Sequence, residues 1–192
     1  MKITINQIGY TYYIYTDHQG KTKDYHYFVE DLSSGWLWKG KEAKIFSPDK
    51  NELAYIYYKQ KYLSSSELLI TIDNVDTKLE LRPKYVLSWN DPKWTFQFDN
   101  ALFELKQHKR NDRSLFRNNI QVASFTKERV SFFERDVYQI YANSDENIIL
   151  LICLAIFDDI GRYGDNETAT SNYGSIHGSK VPMAGKWRPS KT

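Results

Sequence analysis

Apolar and polar positions alternate with a period of two along most of this chain, the signature of half-buried β-strands. Ile3 and Ile5 open the pattern. Tyr12 to Tyr15 leads into Asp17-His18-Gln19-Gly20, and Tyr25 to Val29 returns. Lys44 to Phe46 leads into Ser47-Pro48-Asp49-Lys50, and Leu53 to Tyr58 returns. Leu68-Ile70-Ile72, Leu79-Leu81, Tyr85-Leu87-Trp89, Trp94-Phe96-Phe98 and Phe103-Leu105 alternate next. Ile120-Val122 with Phe125 predicts a further strand, and Tyr138-Ile140 the last. About eleven or twelve short strands are expected on this pattern, with no helical periodicity before residue 144.

One segment breaks the rule. Ile148 to Phe157 is an uninterrupted apolar run, Ile-Ile-Leu-Leu-Ile-Cys-Leu-Ala-Ile-Phe. As a helix it covers every side of its cylinder with hydrocarbon, so it must be surrounded. It is shorter than the roughly 18–20 apolar residues of a membrane span, and Asp145-Glu146 and Asp158-Asp159 flank it. The pattern therefore predicts a mainly β fold, an approximately twelve-stranded closed barrel, with a central hydrophobic helix over residues ~146–160. Burying the run's large side chains contributes on the order of 12–24 kcal/mol before chain entropy is charged against it. Ser144 is the expected N-cap, Asp145 and Glu146 the expected first turn, and Gly161 the expected stop.

Composition changes the picture in three places. Aromatic residues make up 16% of the chain, which suits a sheet protein. Cys153 is the only cysteine, so no intramolecular disulfide forms, and its place in the apolar run makes it a small hydrophobe. Residues 161–192 are rich in Gly, Ser, Thr and Asn, which divides the chain into a barrel domain over 1–160 and a poorly ordered polar tail. The tail's final Lys186-Trp187-Arg188-Pro189-Ser190-Lys191 reads as a solvated terminus. Met1 to Asn6 lacks the apolar stretch of a signal peptide, and no transmembrane segment stands out. The expected location is cytoplasmic, with or without peripheral attachment to a membrane.

The order of these segments carries a resemblance. Tyr-Tyr-Ile-Tyr-Thr-Asp-His-Gln-Gly (12–20), Lys-Ile-Phe-Ser-Pro-Asp-Lys-Asn-Glu-Leu-Ala (44–54) and Leu-Arg-Pro-Lys-Tyr (81–85) come first. Gln-Val-Ala-Ser-Phe-Thr-Lys (121–127), Tyr-Gln-Ile-Tyr (138–141) and the late apolar helix ending in Asp follow. Together, over roughly residues 1–160, they resemble the LURP-one-related branch of the tubby C-terminal-like and phospholipid scramblase superfamily. The resemblance implies a twelve-stranded barrel around a hydrophobic helix. It also implies a loose functional expectation, since tubby-like domains bind phosphoinositide headgroups through surface Lys and Arg. The chain lacks the proline-rich N-terminal region and Cys cluster of scramblases, and Asn143, Asp145 and Glu146 do not make a strong Ca²⁺ loop.

Charge supplies the candidate site. Net charge is +2, yet residues 106–135 hold eight basic residues against three acidic ones. Within them, Lys106, Lys109, Arg110, Arg113 and Arg117 cluster on what reads as a strand end and loop, with Arg82 and Lys84 flanking Pro83 as a second pair. Clustered cations suit a local anionic contact. No Gly-rich phosphate loop, HExxH, GxSxG or CxxC occurs, and the four histidines are far apart in sequence. Asp158 and Asp159 read as a structural helix end rather than a catalytic pair. No catalytic residue, metal or cofactor is expected. A pI of 8.4 falls below the usual footprint of a nucleic-acid-binding domain. The expected function is a non-enzymatic binding or scaffold domain for an anionic phospholipid surface or a protein partner. The alternative is a small-molecule enzyme or carrier whose site forms only in the folded barrel.

Overall fold

In a computed structural model, the structure describes residues 1–8, 11–17, 25–32, 41–59, 67–81, 93–108, 112–128, 137–163 and 187–189. Among these, twelve antiparallel strands close into a barrel, each hydrogen-bonded to its sequence neighbours, with the first pairing the last. The strands are β1 (Lys2–Ile8), β2 (Thr11–Asp17), β3 (Tyr27–Asp31), β4 (Lys41–Phe46), β5 (Glu52–Lys59) and β6 (Glu67–Ile72). They continue as β7 (Val75–Leu81), β8 (Lys93–Phe98), β9 (Ala101–Gln107), β10 (Arg113–Arg117), β11 (Ile120–Glu128) and β12 (Val137–Ala142). One helix, α1 (Ile148–Tyr163), follows.

The helix fills the lumen. Every residue from Leu150 to Phe157 is at most 3% exposed, so no side of this stretch faces water. Inward positions of the strands complete the core, among them Ile3, Ile14, Val29, Ile56, Ile70 and Ile140. The helix packs most closely on β4, β5 and β6. There the inner face carries Ala43 and Ala54, whose short side chains permit close approach. Across the lumen, Phe96 and Phe103 stand opposite each other on β8 and β9 with rings stacked 5.2 Å apart, filling the wider space. Closure leaves no sheet edge to recruit another chain.

The two ends of the barrel are built differently. At one, three hairpins turn on two residues: Asp73-Asn74, Asp99-Asn100 and Asn118-Asn119, all at positive φ between 47° and 67°. Both central residues of a type I′ turn need that geometry, and Asx side chains tolerate it better than other non-glycine residues. We call this the turn end. The helix enters here. At the opposite, connection end, the joining segments run from two residues (9–10) to eleven (82–92), and Trp94 near the start of β8 packs edge-on against Phe157, with ring centroids 5.4 Å apart.

Three expectations need correction. The helix runs over 148–163, not 146–160, and passes through Gly161. Its cap is Asn147, not Ser144: the Leu150 N–H donates to Asn147 Oδ1 at 3.0 Å. Asp145 and Glu146 therefore precede the helix. Third, residues 113–117 form a strand rather than a loop. The strand expected over Tyr85–Trp89 lies outside the described residues, as does most of the tail. The Asn147→Ala variant is expected to lose about 1 kcal/mol of stability in urea denaturation, the usual worth of an N-cap side chain.

Candidate functional site

The β9–β10 hairpin holds the cationic cluster. Its register sets Lys106 against Ser114 and Gln107 against Arg113, and the His108 N–H closes it on the Asp112 carbonyl at 2.8 Å. Lys109 and Arg110 fall in the connection between them, outside the described residues, as do Arg82 and Lys84.

Alternation distributes the described cations over both faces. Lys106 lies on the outer face, next to the inward Leu105. Its ammonium sits 4.3 Å from the Phe116 ring centroid and 3.4 Å from Glu104 Oε2, and about a third of its side chain stays exposed. On β8 its direct neighbour is Lys93. Beside them, Ser114 Oγ contacts His108 Nε2 at 2.9 Å and accepts a hydrogen bond from Gln121 Nε2 at 3.1 Å. Ser114 is 1% exposed, so it is not placed to act as a nucleophile.

Arg113 and Arg117 point the other way. Arg113 opposes Phe125 on the inner face and is only 6% exposed. Arg117 opposes the inward Phe103 and stands at the turn end. Its Nη2 donates to Asp145 Oδ2 at 2.7 Å and meets Glu146 Oε1 at 3.1 Å, the latter an ion pair without hydrogen-bond alignment. The three described cations of 106–117 are thus divided between two faces and two ends. Leu115, which could have entered an interface as a loop residue, is fully buried in the core.

The Arg117 contact shifts all three groups. The hydrogen bond from Arg117 holds Asp145 below its ordinary value of 3.8, and the same bond raises Arg117. Burial raises Glu146 above its ordinary 4.5, against the opposing pull of Arg117 and with a small push from Asp145. These groups line a pocket of about 100 Å³ with Phe98, Asp99, Phe103 and Leu150. Its volume is well below the roughly 300–1,000 Å³ of typical small-ligand sites.

Other expected chemistry is dispersed. His26 meets the Thr16 hydroxyl near the turn end, while His108 is at the connection end, and His18 and His177 lie outside the described residues. The Asp158 and Asp159 side chains also lie outside them. Among the described residues no group of three or more His, Cys, Asp or Glu is arranged to hold a metal ion. Cys153 is fully buried, and burial pushes its thiol up. Likewise among the described residues, no helix is long and apolar enough to cross a membrane.

Sequence reading missed the partners of two cations: Lys93 opposite Lys106, and Asp145 with Glu146 at Arg117. A readable signal existed for the second, because Asn118-Asn119 marks a two-residue hairpin turn and so makes 113–117 a strand ending in Arg117. Comparison with known protein families, with curated proteins and with solved structures returns no match for this chain.

Proposed function

We propose that this protein is a non-enzymatic binding domain that engages an anionic phospholipid surface through the outer corner of the β8–β9–β10 sheet. Lys106, Lys109 and Arg110 are the central residues, with Arg82 and Lys84 on the neighbouring connection. The observation that carries this reading is the partly exposed Lys106 on the outer face of β9, whose backbone register partner on β8 is Lys93. The resemblance to tubby C-terminal-like and LURP-one-related domains points the same way, since the former bind anionic headgroups. A rigid barrel closed by its own helix suits a scaffold that presents a surface.

Arg113 is left out of this surface because it is buried, and Arg117 because its ion pairs hold it at the opposite end. The test is co-sedimentation with phosphatidylcholine vesicles, with and without phosphatidylserine, at low and physiological salt. Selective, salt-sensitive pelleting is expected. A Lys109→Ala/Arg110→Ala variant is expected to bind about thirtyfold more weakly, at about 1 kcal/mol per cation. Absence of pelleting at low salt removes lipid as the ligand. Equal pelleting of both proteins moves the site away from this corner.

A further inference from the structure

At the turn end, the start of α1, the β8–β9 hairpin and the end of β10 enclose the pocket of about 100 Å³. Its lining is of two kinds. One is hydrocarbon, from Phe98, Ala101, Phe103 and Leu150, with the two rings edge to face at 6.4 Å between centroids. The other is charged, with the carboxylates of Asp99, Asp145 and Glu146 set against the guanidinium of Arg117, a net of two negative charges. Glu146 is the member that points to a ligand. Its side chain is only 3% exposed, and its Oε1, buried at the pocket, accepts no hydrogen bond. Arg117 Nη2 lies 3.1 Å away but directs its hydrogen bond to Asp145. Burial outweighs the pull of that cation and keeps the Glu146 carboxyl above its ordinary 4.5. A buried acceptor without a donor carries a desolvation cost that a ligand N–H would offset.

We infer that this pocket binds a primary alkylammonium group, its ammonium donating to Glu146 and its short carbon chain lying against Phe98, Phe103 and Leu150. The net charge calls for a cation, and the unbonded Oε1 calls for an N–H donor, which makes the hydrogen bond a charge-assisted one. The phenyl rings accept the carbon chain and attract the charge at its head. The volume suits a group of a few heavy atoms, not a whole cofactor. A metal ion fits less well: among the described residues no group of three or more His, Cys, Asp or Glu is arranged to hold one, and much of the lining is hydrocarbon. The site lies at the opposite end of the barrel from the proposed lipid-binding corner and does not depend on it. The alkylammonium can belong to a free amine or to a lysine side chain of another protein.

Amide spectra of the isotopically labelled protein, titrated with n-propylammonium chloride at neutral pH where the amine is charged, test the assignment. Saturable shifts at Ala101, Asn147 and Leu150 are expected, with a millimolar affinity in keeping with so few ligand atoms. Glu146→Gln keeps the shape of the side chain and is expected to bind about tenfold more weakly. Ala101→Leu fills the apolar side and is expected to abolish the shifts while the rest of the spectrum stays native. n-Propanol and ammonium chloride separate the two parts of the ligand, and either one matching n-propylammonium overturns the assignment. Unchanged affinity in Glu146→Gln overturns it too, as does the absence of saturable shifts, which leaves the pocket to water. Nα-acetyl-lysine methylamide then distinguishes the sources. Shifts at the same three amides identify a lysine side chain as the ligand, and binding of n-propylammonium alone identifies a free amine.

Discussion

The Ile152→Asp variant is expected to give no cooperatively folding barrel, whereas Ile152→Val folds with a loss of about 0.5–1.5 kcal/mol. Ile152 is 0% exposed in the middle of a helix whose neighbours on all sides are the inner faces of strands. A carboxylate there is removed from water and set among the hydrocarbon side chains of the core. Leaving a charge buried and unpaired costs several kcal/mol even after relaxation, a large part of the roughly 5–15 kcal/mol that holds a domain of this kind together. Truncation to alanine is milder, about 2–5 kcal/mol, because it removes contacts without adding a buried charge. Leu102→Asp serves as the control: it places the same charge on the outer face at a residue 46% exposed, where changes within about 0.5 kcal/mol are the norm. Urea denaturation with near-ultraviolet circular dichroism separates these cases. A native unfolding midpoint for Ile152→Asp would show that the helix is not enclosed.

That experiment tests the one element that made this fold legible. Ten apolar residues in a row between acids have no stable surface position, and the preceding period-two segments supply the only wall long enough to enclose them. The strand count followed from alternation wherever the inward residues were apolar. It failed at β10, where the inward positions are Arg113, Leu115 and Arg117. Two of three are charged, so a hydropathy pattern reads them as solvent-facing. The helix start was misplaced for a related reason: Ser144, Asp145 and Glu146 have the composition of a capped first turn. Asn147 takes the cap because Asp145 and Glu146 are engaged by Arg117, a contact between positions 28 and 29 residues apart. Local sequence carries propensity; it does not carry which distant charge will claim a carboxylate.

The same limit governs the candidate site. The concentration of cations over 106–117 was visible in the sequence, but a sequence window projects both faces and both ends of a strand onto one line. Folding separates Lys106 on the outside from Arg113 within and Arg117 at the far end. It also introduces Lys93, which lies thirteen positions before Lys106 and becomes its cross-strand neighbour through the β8–β9 hairpin. Tyr55 shows the same effect among the aromatics. Burial, and then the Glu42 carboxylate across the β4–β5 pair, push its phenol up to about 12.

Arg117→Met is expected to destabilise the protein by about 2–3 kcal/mol. Removing one member of a buried pair typically costs about 3–5 kcal/mol, reduced here because about a third of the Arg117 side chain reaches solvent. The cost comes from Glu146, whose side chain is only 3% exposed and whose carboxylate loses its cation. Adding Glu146→Gln to Arg117→Met should therefore recover more than half of the loss, and a double-mutant cycle gives the coupling. Asp145→Asn, at a half-exposed partner, should cost no more than about 1 kcal/mol. The pH dependence separates the two carboxylates. Asp145 is held below 3.8, so its contribution is present above that value and lost as pH falls through its folded pKa. Glu146 is raised above 4.5, so its contribution is fully present below that value and lost as pH rises through its folded pKa. Parent and Glu146→Gln proteins compared by urea denaturation from acidic to neutral pH should thus diverge above 4.5, with the parent losing stability relative to the variant. Parallel profiles would show that Glu146 is solvated and that Arg117 anchors the helix entrance through Asp145 alone.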